Sequence, residues 1–378
     1  MDRTTGERVL IVTGGLLNEK ERSLVQGLRK QLLQWRKAEH SWLDVKGKAV
    51  IAEPVLASLL ERRRVKRYPP ELRAPVEAFF GRPDNFTTRD LTEVVLATLL
   101  RDAGIPYAIA TYGDLFADPK GTARLLDETS CVFASATLLR DLSEVEPLMQ
   151  MMKRPHNRIV LGGALAGLLS EDWEGMAEVD VLAVGYGELL VPALADWIRS
   201  GFRKLEAPER GRIEHRAHTA VLHSGSPETK NLDFLVTPDW ALSARDHGVA
   251  HPRMVYYESV RGCPYRCAFC NYPYLFDDSV FRYRSARKIA DDWEHFVRDL
   301  GVEYITCLDS LFTIPRRRLR ELCEELVRRD VRVKWICYAR ADDLCEEDTV
   351  LLMKRAGCHQ VQIGIESGHQ TILDNMNK

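Results

Sequence analysis

Apolar positions along the chain fall into short strand-length runs, separated by longer segments in which they recur every three or four residues. The runs RVLIVT (8–13), YAIATY (107–112), CVFASA (131–136), RIVLGG (158–163) and VDVLAVG (179–185) alternate with helix-period segments at 90–103, 141–153 and 188–200. That alternation predicts an α/β fold with a doubly wound parallel sheet. Residues 38–90 break the rhythm with poorly periodic sequence and a Pro-Pro at 69–70, as an insertion or cap would. Residues 206–250, with GSPETKN and TPDW, have no long period and read as a connector with a few short strands. From Met254 the rhythm restarts: MVYYESV, a cysteine-rich loop, helix 285–299, YITCLD (304–309), helix 315–329, VKWICYAR (333–340), helix 345–356 and HQVQIGIES (359–367). Four strand-helix units in succession predict a parallel barrel or part of one. The expected organisation is therefore a sheet domain over 1–205, a connector over 206–250 and a barrel-type domain over 251–378.

Ligands of doubly wound sheets bind beyond the carboxyl ends of the strands, near the switch in strand order. Small residues gather at those ends here: Thr13-Gly14-Gly15, Ser135-Ala136-Thr137, Gly162-Gly163-Ala164 and Gly185-Tyr186-Gly187-Glu188. They would let a large flat ligand approach the backbone and would offer hydroxyls to its polar tail. They would equally serve as the plain turns of such a sheet. No GxGxxG follows the first strand, which argues against a nicotinamide cofactor.

Composition narrows the classes. The chain has 378 residues, 45% of them hydrophobic and 29% charged, enough for two cores. Its formal charge of −2 supplies no global attraction to nucleic acid or an anionic membrane. The basic runs at 62–67 and 315–320 neighbour acidic residues and read as solvated helix faces. No apolar run approaches the roughly 18 residues of a membrane helix, and the start shows no leader, so the expected location is the cytoplasm. Nine cysteines are scattered except for three in RGCPYRCAFC: Cys263, Cys267 and Cys270. In a reducing compartment such a trio reads as metal-binding or catalytic rather than as a disulfide framework.

The spacing Cys-x3-Cys-x2-Cys offers three thiolates where iron-sulfur clusters usually take four. A 4Fe-4S cluster held there keeps one iron open for a substrate or cofactor. A structural zinc site would want a fourth cysteine or histidine, and His251 lies on the wrong side of the loop to complete a recognisable pattern.

CPYRCAFC resembles the CxxxCxφC signature of the radical S-adenosylmethionine (SAM) enzymes, with Phe269 as the aromatic φ. The resemblance implies that the amino and carboxylate groups of SAM chelate the open iron, and that one electron from the cluster cleaves the sulfonium to a 5'-deoxyadenosyl radical. Asp309 and Ser310 in LDSLF resemble the segment that takes the SAM amino group. Arg340 resembles the cation that meets its carboxylate, and Glu366 and Ser367 in GIESG resemble the residues that bind its ribose. Plainer roles stay open: Arg340 could pair with Asp342, and Glu366 could be a barrel-mouth carboxylate.

The segments LATLLRDAG, CVFASAT, IVLGGALAG and VDVLAVGYGE resemble the cobalamin-binding, Rossmann-like domain of the B12-dependent radical SAM class, and TPDW resembles its connector. The implied cobalamin contacts are Ser135, Thr137, Gly162, Gly163, Gly185 and Glu188. The DxHxxG motif that supplies a cobalt-ligating histidine elsewhere is absent, which implies base-off cobalamin without a protein histidine. A barrel of this family usually has six strands, whereas NMNK follows soon after the fourth, so a C-terminally truncated chain is expected.

Three classes of function remain. The first is a cobalamin-dependent methyltransferase acting on an unactivated carbon or phosphorus. The second is a cyclase or oxidoreductase of the same architecture, and the third a non-catalytic cobalamin or iron-sulfur sensor, against which the SAM-contact pattern argues. A methylthio-group transferase for tRNA would need N-terminal cysteines for a second cluster, and only Cys131 precedes residue 263. The implied partners are a small-molecule or peptide substrate and an electron donor such as flavodoxin or ferredoxin. Tyr272, Tyr274 and Phe276 could line the barrel mouth or simply pack.

Overall fold

The structure is a computed structural model that describes residues 8–15, 42–45, 48–51, 89–276 and 278–378. Of the segment expected as a cap, only two strands and residues 89–90 are described, and the rest lies outside the described residues. The described residues from Arg8 to Gly15 and from Arg89 onward form one compact unit.

The strands in chain order are β1 (Val9–Thr13), β2 (Trp42–Val45), β3 (Lys48–Ile51), β4 (Tyr107–Thr111), β5 (Cys131–Ser135), β6 (Arg158–Gly162), β7 (Val181–Val184), β8 (Arg212–Arg216) and β9 (Thr219–His223). β2 and β3 pair antiparallel with each other in the second unit. The others form one seven-stranded sheet in the order β4-β1-β5-β6-β7-β9-β8, parallel except for β8. The sheet thus runs past residue 205, because the first part of the expected connector supplies two of its strands. From β1 the chain goes to β4 on one side and then returns to β5 on the other. The switch in strand order therefore falls between β1 and β5, where the Thr13–Gly15 and Ser135–Thr137 loops emerge. β1 and β5 are buried along their whole length, as a sheet with helices on both faces requires.

Past residue 250 come β10 (Met254–Tyr257), β11 (Val260–Arg261), β12 (Arg282–Tyr283), β13 (Tyr304–Cys307), β14 (Lys334–Ala339) and β15 (Cys358–Ile363). β10, β13, β14 and β15 form a four-stranded parallel sheet. The expected single strand over 254–260 is broken: β10 ends at Tyr257, and Val260–Arg261 pairs antiparallel with Arg282–Tyr283. The fourth strand ends at Ile363, so GIES lies beyond it rather than in it.

Helix Ala286–Leu300 shows why the outer layer packs. Ser285 caps its start by accepting from Lys288 N, and Gly301, at φ +71°, ends it in the left-handed conformation. Its buried Ile289, Trp293 and Phe296 share one face at helical spacing, and Trp293 stacks on Phe312 with ring centres 6.1 Å apart. Helix Leu91–Asp102 serves two cores: Leu91 and Val94 join the cluster around Trp240 and Trp293, while Ala97 and Leu100 join that under the seven-stranded sheet.

Candidate functional site

The cysteine loop leaves β11 at Arg261 and is fixed at its root by polar contacts. Asp309, at the end of β13, is fully buried, and its carboxylate accepts from Ser259 N at 2.5 Å, Val260 N at 2.7 Å and Ser259 Oγ at 2.7 Å. Buried Arg318 reaches the same serine hydroxyl at 3.2 Å and the carbonyl of Phe312 at 2.6 Å. Gly262 then turns at φ +74°, where a Cβ would lie 2.3 Å from the Val280 carbonyl oxygen. Only glycine enters the loop this way.

Cys263, Cys267 and Cys270 are free, partly exposed thiols, and Cys270 N donates to Cys267 O at 3.0 Å. Burial raises the pKa of Cys263, the nearby Cys270 and Cys267 push it the same way, and Arg340 opposes them. Among the described residues no three His, Cys, Asp or Glu side chains converge on a point that one ion could occupy. Each iron of a cubane takes its own thiolate, so such convergence is not demanded of a 4Fe-4S cluster. Three adjacent free thiols on one loop fit that donor set.

The expected SAM contacts are brought to this loop unequally. Arg340 stacks 4.1 Å over the Tyr265 ring, between the first two cysteines, while its Nε donates to Asp342 at 3.0 Å. The Asp342 pairing is thus present, and it leaves the guanidinium at the loop. Asp309 departs from expectation: its oxygens are spent on the Ser259–Val260 turn and face no open space. Ser310, half-buried, lies beside the Tyr272 phenol. Glu366, at φ +61°, is exposed and meets Lys378 at 3.3 Å; Lys378 lies 5.9 Å from the ring of exposed Phe269. Ser367 Oγ accepts from His369 N, a local turn contact. Ala268 N and Arg266 O bond to Met376 O and Asn377 Nδ2, which seats residues 376–377 against the cysteine loop.

At the seven-stranded sheet, three loops of small residues meet. A Cβ on Gly15 would lie 3.0 Å from Leu138, and one on Gly163, at φ +98°, would lie 2.5 Å from Thr137 Oγ1. Ser135 Oγ and Thr137 Oγ1 bond each other at 3.1 Å. Gly162 pairs with Ser135 across β5 and β6, and Gly185, at φ +104°, ends β7. Glu188 departs from expectation. Its buried carboxylate is bound by both terminal nitrogens of Arg261, each at 2.8 Å, so it is engaged at the cysteine-loop root. Burial alone would raise Glu188, but Arg261 holds it below the usual carboxylate range; Glu188 and Glu258 in turn hold Arg261 well above its ordinary value against burial.

Sequence reasoning missed Arg261, which stands two residues before Cys263. It also stacks over Tyr186 at 4.9 Å and Phe276 at 5.5 Å, and takes Glu258 at 2.9 Å. No local signal reveals it, because Glu188 lies 73 residues upstream. Of the aromatic segment after the cysteines, Tyr272 and Phe276 pack here with rings 6.0 Å apart, and a Cβ on Gly167 would lie 3.0 Å from Leu275 O. Tyr274 stays exposed.

A doubly wound sheet joined through Glu188 and Arg261 to the root of a three-cysteine loop on a four-stranded parallel sheet defines a two-part α/β architecture. Residues 257–378 match the family model described as the radical SAM superfamily. The chain is similar to the anaerobic magnesium-protoporphyrin IX monomethyl ester cyclase of Rubrivivax gelatinosus, 33% identical over 209 residues that make up 53% of this chain and 37% of the cyclase. It is also similar to the bacteriochlorophyllide d C-12(1)-methyltransferase of Chlorobaculum tepidum, 26% identical over 152 residues, 39% of this chain and 33% of that one. The fold is similar to that of the cobalamin-dependent S-adenosylmethionine radical enzyme OxsB with aqua-cobalamin and S-adenosylmethionine bound (TM-score 0.55, 17% identity, 92% of this chain and 50% of that one). It is likewise similar to that of the radical S-adenosylmethionine methyltransferase TsrM from Kitasatospora setae (TM-score 0.56, 19% identity, 75% of this chain and 57% of that one). The chain spans 33% to 37% of the length of these two curated relatives. The match to the radical SAM superfamily thus covers the C-terminal part of the chain, and the two solved enzymes share the fold of the sheet domain and the parallel sheet that follows it. A radical SAM domain implies a 4Fe-4S cluster and SAM. Among the described residues no helix is long and apolar enough to cross a membrane.

Proposed function

We propose that the chain works as a cobalamin-dependent radical SAM enzyme, in which Cys263, Cys267 and Cys270 ligate the cluster and Arg340 receives the SAM carboxylate. Glu366, Ser310 and Ser367 remain candidate SAM contacts at the same mouth. Cobalamin sits over Ser135, Thr137, Gly162, Gly163 and Gly185, against the switch point between β1 and β5. When bound, the cluster and SAM supply one-electron chemistry, and cobalamin supplies a transferable methyl group. The chain's own residues hold the two sites side by side and shield them from water. The observation that carries this reading is the junction itself: Arg261, two residues from Cys263, grips Glu188, three residues from Gly185. Methyl transfer to a carbon centre is the first reading, with a cytoplasmic flavodoxin or ferredoxin as the electron source.

Cyclisation without methyl transfer is the second reading, favoured by the 33% identity to a protein named as a cyclase. Both the cyclase and the bacteriochlorophyllide methyltransferase are named for tetrapyrroles, so a tetrapyrrole is the substrate class to try first. The test is anaerobic reconstitution with iron, sulfide and hydroxocobalamin, followed by SAM bearing a labelled methyl group and a tetrapyrrole pool. Label entering product only with cobalamin supports methyl transfer, and label entering equally well without cobalamin rejects it. A cobalamin-dependent product without label moves the assignment to the cyclase. Iron and sulfide that still bind after Cys263, Cys267 and Cys270 are all changed to Ala would remove the cluster assignment.

A further inference from the structure

The two halves of the protein share a buried charged contact in which Arg261 meets Glu188. Arg261 is 8% exposed. Both its terminal nitrogens bond Glu188, its Nε and one terminal nitrogen bond Glu258, and its plane lies over the rings of Tyr186 and Phe276. A planar fork filled this way has one low-energy placement, which a flexible ammonium would not have. On one side the contact is bolted to the sheet: Tyr186 N donates to Ser224 Oγ at 2.9 Å, and Tyr186 follows directly on Gly185. On the other it is bolted to the cysteine loop through Gly262, whose turn admits no side chain.

We propose that Arg261 and Glu188 are positioning residues that couple the Gly185 turn to the cysteine loop, so that a corrin held at the first and a cluster held by the second each raise the affinity for the other. This rests on the cobalamin reading given above. Seating either group orders one partner of the contact, and the second group then meets a loop whose ordering cost is already met. Such coupling is reciprocal, and of ordinary size it is about tenfold in affinity.

The test is the ratio of hydroxocobalamin dissociation constants, measured by anaerobic absorbance titration, between cluster-free and cluster-loaded protein. The wild type is expected to bind about tenfold more tightly with the cluster. Glu188→Gln, which keeps the shape and removes the charge, is expected to bring the ratio to within about twofold of unity. A uniform loss of stability or of affinity cancels in this ratio, so a merely structural role would leave it unchanged. A wild-type ratio of one, or a wild-type ratio preserved in Glu188→Gln, overturns the coupling while leaving the cobalamin site standing. Absence of binding by wild type in both states overturns the cobalamin reading together with the coupling. If Glu188→Gln does not fold, Arg261→Lys carries the test: a ratio reduced by about threefold or more supports the coupling, and an unchanged ratio overturns it.

Discussion

Replacing Asp309 by Asn tests whether the root of the cysteine loop rests on a buried carboxylate with the energetics its surroundings imply. Burial raises the Asp309 pKa from 3.8 to about 6, against the opposing pull of Arg318 and the hydrogen bonds from Ser259. A carboxyl whose folded pKa lies above the unfolded one binds its proton more tightly when folded. Its stabilising contribution is therefore complete below about pH 4 and is lost as pH rises through about 6. A rise of roughly two units corresponds to about 3 kcal/mol over the whole range, and about half of it falls between about pH 5 and about pH 8. Asn does not titrate. The stability of wild type relative to Asp309→Asn should thus move against the wild type by about 1.5 kcal/mol across that interval. The fixed cost of exchanging an oxygen for an amide drops out of the slope. Urea midpoints of both proteins, cluster-free and anaerobic, followed by tryptophan fluorescence at several pH values, give the difference directly. A difference that is flat, or that moves in favour of the wild type as pH rises, would refute the reasoning: Arg318 and the donors would then outweigh burial.

Gly262→Ala places a methyl 2.3 Å from the Val280 carbonyl at a left-handed turn, so it should lower stability by about 1–3 kcal/mol and reduce iron incorporation; unchanged melting and iron content would contradict this. Gly163→Leu drives a side chain into Thr137 and should lower cobalamin retention on gel filtration while iron content holds; unchanged retention would reduce these loops to plain turns. Arg340→Ala should weaken SAM binding by about ten- to a hundredfold, the worth of a charge-assisted contact, with cobalamin still bound; equal SAM affinity in equilibrium dialysis would assign Arg340 to Asp342 and Tyr265 alone.

What the sequence announces and what it conceals divide along a physical line. Runs such as RIVLGG and the segment 285–299 lie within a residue or two of β6 and helix Ala286–Leu300, because burial imposes its period on consecutive residues. β8 was not legible as part of the sheet: RIEHR is an edge strand with no fully buried position and with charged side chains, so it carries no apolar run. The cysteine trio was legible because its three thiols sit within eight positions of one loop. The residues that fix it were not, since Asp309 meets Ser259 across 50 residues and Glu188 meets Arg261 across 73. A carboxylate at a strand end looks the same in sequence whether it faces a ligand or a backbone turn, and here Asp309 and Glu188 face protein.

That concealment follows from what the loop has to do. A loop that leaves three thiols free cannot be fixed by filling its interior with side chains, so its root must hold it from outside. β11 has only two residues and cannot supply a ladder of its own. Instead, Asp309 and Arg318 grip Ser259 and Val260 from the half-barrel, and Glu188 and Tyr186 grip Arg261 from the seven-stranded sheet. Cys263 is therefore placed jointly by both halves. Removing Glu188 strands the buried charge of Arg261, which costs about 3–5 kcal/mol, whereas losing one apolar contact of the surrounding core costs less. The position of the three cysteines thus depends less on the size of the two cores than on the buried polar contacts that each half of the molecule makes to residues 259–261.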